Sequence, residues 1–324
     1  MKLRTKSILF CLLLLLMGGA GYYGHAFYSF LTGVQEPNII KPAEGEGKPK
    51  KPESEIPVWG GTERVHILLM GVDRRDLRPD EQPRSDSMIV VSMDPVTKSY
   101  DLFSILRDTY VNIPGYGRSR INAALAEGGP ELAMATVSDF VGLPVDRYVI
   151  TDFEGFKNLI DAVGGVEIDV EKNMRYRDPT DKNKYDIDLK KGPQRLNGDK
   201  ALQYARFRHD ATSDYTRTER QRKLLAALAA QMQKGTNLIQ LPAILDSVRP
   251  YIQTNMSGSD MLKLAGLSLS LKTEQAGQFQ LPQMGAFREE NSGGSVLVPD
   301  LEAVRTYVQE QLHSARPADQ PKTE

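Results

Sequence analysis

The sequence predicts an α/β fold: a three-layer α/β/α sandwich with a central mixed β-sheet, preceded by one N-terminal transmembrane helix. Three observations carry this. VHILLMG (Val65–Gly71) is a near-continuous apolar run, as expected for a strand covered on both faces. Short β-like runs then alternate with helical patterns that stop at glycines. The stretch Ile8–Leu31 carries no Asp, Glu, Lys or Arg, and Lys2, Arg4 and Lys6 precede it.

As a helix, that stretch would reach about 36 Å, enough for a hydrocarbon core of roughly 30 Å. The aromatic residues Tyr22, Tyr23, Phe27 and Tyr28 cluster at its far end, where amphipathic rings favour the interface. Positive charge before the span keeps the amino terminus inside the cell and exports the rest. A cleaved signal peptide with a core at Ile8–Met17 is the alternative, but no clear A-x-A site follows. The expected organisation is a cytoplasmic terminus at 1–7, a membrane helix at 8–31, and a Pro/Glu/Lys spacer without structure at 32–61. An extracellular domain follows at 62–313, with an unstructured tail at 314–324.

Within that domain, MIVVSM (Met88–Met93) and SYDLFSI (Ser99–Ile105) flank a turn at Asp94–Lys98 and read as a hairpin. INAALAEGG and PELAMATVSDFVG follow as two helices. DRYVIT, FEGFKNLIDAVGG and VEIDV read as strand, helix and strand. In LNGDKALQYA, Asn197 is placed to cap a helix, and RTERQRKLLAALAAQMQ is amphipathic, with Thr216 and Glu219 as a capping box at its start. A short strand near Gln278–Leu281 lies between two last helices.

Composition narrows the function. Of 324 residues, 40% are hydrophobic, enough for a sizeable core, and the net charge is −1, which provides no bulk attraction to nucleic acid. The one cysteine, Cys11, excludes an internal disulfide and any multi-cysteine metal site. Anion binding must therefore be local, and RFRHDATSDYTRTERQR (Arg206–Arg222) holds five arginines. Guanidinium groups grip phosphate oxygens in a bidentate fork that lysine cannot form. Other charges sit where strands end or begin: Asp73 and Arg74 in MGVDRRD, Arg84 and Asp86 in RSDSM, Arg107 and Asp108 in ILRD. Ligands of open α/β sheets sit at such ends. Arg206 and Arg208 alternate as on one face of an extended strand, and Arg217 and Gln221 share a helix face. Several arginines on one site suggest a diphosphate, and Asp73 and Asp86 are hard oxygen ligands of the kind Mg²⁺ uses beside phosphates. Arg75, Arg78, Arg118 and Arg222 read as solvated surface charge, and His209 as an exposed loop residue.

In this order, LLMGVDRR, RSDSMIVVSMDP, SILRDTYVNIPGYG, RINAALAEGG, VGGVEIDV and ALQYARFRHDATSDYTRTERQRKLL resemble the LytR-CpsA-Psr family of bacterial cell-wall proteins, from about His66 to Met232. The resemblance implies an α/β/α fold. It also implies a Mg²⁺-dependent transferase that moves a phosphoglycosyl polymer, such as a teichoic acid or capsule chain, from a polyprenyl-pyrophosphate carrier to a peptidoglycan hydroxyl. By the same resemblance, Arg107, Arg206, Arg208, Arg217 and Gln221 hold the pyrophosphate with Arg84 in the same shell, and Asp73 and Asp86 hold Mg²⁺ or order the arginines. Arg120 stands where many members have lysine. One of Asp73, Asp86 and Asp108 is expected to accept the acceptor's proton. The lipid would need an apolar slot, for which VVSM and the LLAALAA helix are candidates. A lipid pyrophosphate hydrolase and a membrane-bound transcriptional regulator are the competing readings.

Overall fold

The computed structural model describes residues 21–35, 39–40, 58–74, 77–78, 81–177, 186–208, 213–272, 276–292 and 294–314. In chain order, helix α1 covers residues 21–34. Strands β1 (Val65–Val72), β2 (Ser85–Asp94), β3 (Ser99–Ile105), β4 (Tyr110–Ile113) and β5 (Gly117–Arg120) follow. Next come α2 (Ala123–Val141), β6 (Arg147–Asp152), α3 (Phe153–Ala162), β7 (Val166–Val170), β8 (Met174–Tyr176), β9 (Ile187–Leu189) and β10 (Gly192–Leu196). The helices α4 (Gly198–Arg206), α5 (Ser213–Met232), α6 (Gly235–Ile239) and α7 (Leu241–Val248) precede β11 (Ile252–Thr254). The chain closes through α8 (Gly258–Ser268), β12 (Gly277–Leu281), β13 (Phe287–Asn291), β14 (Ser295–Pro299) and α9 (Leu301–His313).

The central sheet has six strands in the order β11-β6-β1-β2-β3-β12. It is mixed: β1 runs antiparallel to β2 and parallel to β6. Alternation along β1 explains the layers. Leu68, Met70 and Val72 point into one core with Val137 and Phe140 of α2 and Val304 and Val308 of α9. Val65, Ile67 and Leu69 point the other way, into a core with Leu225 of α5 and Leu264 of α8. Both faces are covered, which is why the strand reads as a continuous apolar run.

Local expectations resolve as follows. The two helices expected before β6 form α2, broken where Gly128 and Gly129 leave helical geometry and Gly129 takes φ 77°. Asn197 caps α4, its side chain accepting from the Lys200 N–H. The capping box at Thr216 does not form, because α5 already begins at Ser213 and Thr216 lies inside it. VEIDV pairs with β10 in a separate two-stranded sheet.

Among the described residues no helix is long and apolar enough to cross a membrane, and residues 1–20 lie outside them. The described part of the run, α1, packs on the domain. Tyr23 Oη donates to the Ile239 carbonyl at 2.6 Å, Arg249 donates to Ser29 Oγ, and Gln35 donates to the Met256 carbonyl. The expectation of an unstructured spacer across 32–61 needs correction at both of its described ends. Val34, Ile39, Ile40 and Trp59 are buried, the Ile39 and Ile40 N–H groups donate to Gln253, and the Trp59 N–H donates to Asp260. Polar composition surrounds these residues, but each carries enough apolar area to dock once a side-chain acceptor satisfies its backbone.

Candidate functional site

The topology of the sheet gathers the charged turns. Because β1 and β2 are antiparallel, Val72 at the end of one faces Ser85 at the start of the other. The end of β3 lies beside Met88, and Asp152 at the end of β6 lies beside Val72. Asp73, Asp86 and Arg107 therefore emerge at one edge of the sheet. The first turns of α5 pack over that edge: Ser87 Oγ donates to Gln221 Oε1 at 2.8 Å, and Arg217 donates to the Asp86 carbonyl at 3.2 Å.

Beneath this edge lies a cavity of ≈ 770 Å³. Asp73, Asp86, Arg107, Arg206, Arg208, Arg217 and Gln221 line one part of it. The rest is mostly apolar, with Leu69, Ile89 and Val149 from the sheet, Phe153, Phe156 and Leu159 from α3, and Leu224, Leu225 and Leu228 from α5, although Thr151 and Asp152 at the end of β6 also line it. The LLAALAA segment thus lines the slot, whereas from β2 the lining residues are Asp86, Ser87 and Ile89 in place of VVSM.

The cations are wired together by carboxylates. Arg107 donates to Asp86 Oδ1 at 2.6 Å. Asp214 lies 2.8 Å from Arg217 and 3.3 Å from Arg208, so one carboxylate sets two guanidinium groups. Arg206 lies over the Phe153 ring at 5.5 Å. It is the last residue of α4, and Phe207 follows as its cap. The expected shared strand for Arg206 and Arg208 is therefore absent, and the end of α4 followed by Phe207 outside the helix brings both to the cavity. Arg217 is 5% exposed, and burial pushes its guanidinium down to about 10 against the attraction of Asp214. Burial acts on Arg107 in the same sense, but Asp86, Asp108 and Asp214 outweigh it and raise that residue.

Three expected site residues lie elsewhere. Arg84 is exposed and does not line the cavity. Arg84 precedes β2, whereas Asp86 lies within it and lines the cavity. Asp108 sits 3.7 Å from Arg107 and 3.2 Å from Arg120, and neither Asp108 nor Arg120 lines the cavity. Arg75 and His209 lie outside the described residues. Arg222, expected on the surface, is buried, because α5 turns that position toward Tyr307.

Sequence reasoning missed two kinds of residue. Asp214 has the wrong charge for an anion site, yet it orients Arg208 and Arg217. Arg220 turns away from the cavity, donating to Glu171 at 2.6 Å and to the Phe207 carbonyl at 2.9 Å, and so anchors the backbone next to Arg208. The signal for Arg220 was its spacing, one position off the Arg217–Gln221 face.

The donor set suits a divalent cation of the Mg²⁺ type. Asp73 and Asp86 both face the cavity, and Arg107 engages one oxygen of Asp86. Among the described residues no group of three His, Cys, Asp or Glu is placed to hold a metal. Two carboxylates fit an ion whose remaining ligands are phosphate oxygens and water.

Comparison with known proteins places this geometry. The model of the LytR_cpsA_psr family matches residues 28–311. The regulatory protein MsrR of Staphylococcus aureus (strain COL) is 38% identical over 214 residues, 65% of this chain and 62% of MsrR. The chain thus spans less than two thirds of the length of that relative. TagV of Bacillus subtilis (strain 168), a polyisoprenyl-teichoic acid–peptidoglycan teichoic acid transferase, is 34% identical over 266 residues, 81% of this chain and 66% of TagV. The crystal structure of TagV superposes with a TM-score of 0.65 at 31% identity, covering 78% of this chain and 99% of that structure. The structure of TagT bound to LI-WTA gives 0.62 at 27% identity, covering 84% and 97%. The six-stranded mixed sheet and the ordered motifs agree with these matches: the chain belongs to the LytR_cpsA_psr family.

Proposed function

We propose that the protein is a membrane-anchored phosphotransferase that moves a phosphoglycosyl polymer from a polyprenyl diphosphate to a peptidoglycan hydroxyl outside the cell. One observation carries the reading: a cluster of arginines forms one part of a cavity whose remaining lining is mostly apolar. A diphosphate with a hydrocarbon tail has that division of character. The names of TagV and TagU, teichoic acid transferases, support the substrate class, and so does the ligand of TagT.

In this reading Arg107, Arg206, Arg208, Arg217 and Gln221 hold the diphosphate oxygens, and Asp214 keeps Arg208 and Arg217 turned toward them. Asp73 and Asp86 would hold Mg²⁺, which supplies further neutralisation of phosphate charge. The acceptor hydroxyl oxygen bonds to the sugar-side phosphorus, and the bond from that phosphorus to the bridging oxygen breaks. Polyprenyl phosphate leaves. A carboxylate near the ends of these strands, among Asp73, Asp86 and Asp108, takes the hydroxyl proton. The arginines stabilise the charge that grows on the leaving phosphate, the main contribution available to such transfers.

The test is transfer of a labelled polyprenyl-diphosphate glycopolymer to isolated peptidoglycan by the full chain with Mg²⁺. Label fixed to the glycan is expected, and Arg206→Ala should abolish it while the melting temperature holds. Release of the phosphorylated polymer to water alone would make the protein a hydrolase. Full transfer by the variant would remove Arg206 from the mechanism.

A further inference from the structure

The helix α6 exposes apolar side chains that the proposed reaction does not use. Ile239 is 74% exposed and Leu238 37% exposed. This is not a loose turn. Asn237, between α5 and these residues, is buried and donates to the carbonyls of Gln231 and Val163 at 2.7 and 3.3 Å. Gln231, also buried, donates to the same Val163 carbonyl at 2.9 Å and accepts from Lys234 at 2.6 Å. A buried polar clasp therefore holds a short helix in the one position that points Leu238 and Ile239 outward. Water rewards no such arrangement, because each exposed apolar side chain forgoes the gain of burial.

The neighbour of α6 indicates what covers it. Tyr23 of α1 donates to the Ile239 carbonyl, and Tyr22 and Tyr28 on the same helix are 60% and 66% exposed. In sequence, α1 continues directly from the uncharged run that begins at Ile8. Tyrosines at the end of such a run favour the zone between headgroups and acyl chains. The hydrogen bond to Tyr23 sets α6 at that same level.

We propose that the Leu238–Ile239 end of α6 is a membrane-docking surface that lies in the headgroup–acyl boundary of a lipid bilayer beside α1. The proposal rests on the reading of the uncharged run from Ile8 as a bilayer anchor, its span lying before Tyr23, because Tyr23 and Ser29 are held by the domain. It fixes the tilt of the domain, with the β11 edge of the sheet toward the bilayer and the β12 edge away from it. Gln253 of β11 already binds the chain just after α1, while Met284 follows β12 at the opposite edge.

The test uses the full chain with Cys11→Ser, carrying Ile239→Cys or Met284→Cys and a polarity-sensitive fluorophore, in vesicles that contain lipids with a spin label near the headgroup. Met284 is as exposed as Ile239, so neither label disturbs packing. Quenching at position 239 should exceed that at 284 by about threefold or more, as for an apolar face buried 5–10 Å into the boundary. If the chain floats with vesicles but both labels are quenched equally, the docking surface is refuted and the anchor stands. If the chain does not float with vesicles, the anchor reading falls and the docking surface with it.

Discussion

Replacing Arg217 with Met separates binding from folding in this site. Burial holds the Arg217 guanidinium at about 10 against an ordinary 12.5, so keeping it charged there costs the folded protein about 3 kcal/mol. Methionine removes that cost. It also removes the donor to the Asp86 carbonyl, a loss of about 1.5–3 kcal/mol for a bond from a charged group, whereas the attraction of Asp214 is already contained in the value of about 10. Asp214 retains Arg208 at 3.3 Å. The two effects nearly cancel, so stability without ligand should change by no more than about 1 kcal/mol, a shift of about 2–4 °C. Binding has no such compensation. One lost charge-assisted contact should weaken a short polyprenyl diphosphate about 10- to 100-fold. Calorimetric titration and thermal melts of the variant read both quantities. If the melting temperature falls by more than about 10 °C while affinity holds, Arg217 is a structural residue and the charge argument is wrong.

Leu228→Trp fills the apolar part of the cavity, so a long polyprenyl diphosphate should bind about 10-fold more weakly while inorganic pyrophosphate binds unchanged, as competition titrations would show. His66 is buried on β1, and burial lowers it to about 4 from 6.5. Between those values the unfolded chain takes up a proton that the folded chain refuses. Stability present above about pH 6.5 should therefore fall by about 3 kcal/mol as pH drops toward 4, and denaturant melts of His66→Gln should lack this component. A Cβ at Gly277 would collide with Asp101, whose side chain is 1% exposed and pairs with Arg64 at 3.3 Å. Gly277→Ala should therefore cost about 2–3 kcal/mol in urea unfolding without changing diphosphate affinity.

The elements that sequence alone determined are those whose signal is local. The period of apolar residues marks β1, β2, β3 and α5, because burial on two faces or on one stripe imposes its own spacing. The arginine run and the carboxylates at strand ends were also legible, since their chemistry depends on residue type. Assembly was not legible. That Asp73, Asp86 and Arg107 share one sheet edge follows from the antiparallel order of β1, β2 and β3, and order is a property of contacts between distant segments. The structure alone separated Arg84 and Arg120 from the cavity, turned Arg220 onto Glu171, and recruited Asp214 as the acid that aims two arginines. A guanidinium has the same charge wherever it points, so spacing could list the candidates, and only packing could decide which of them face the same space.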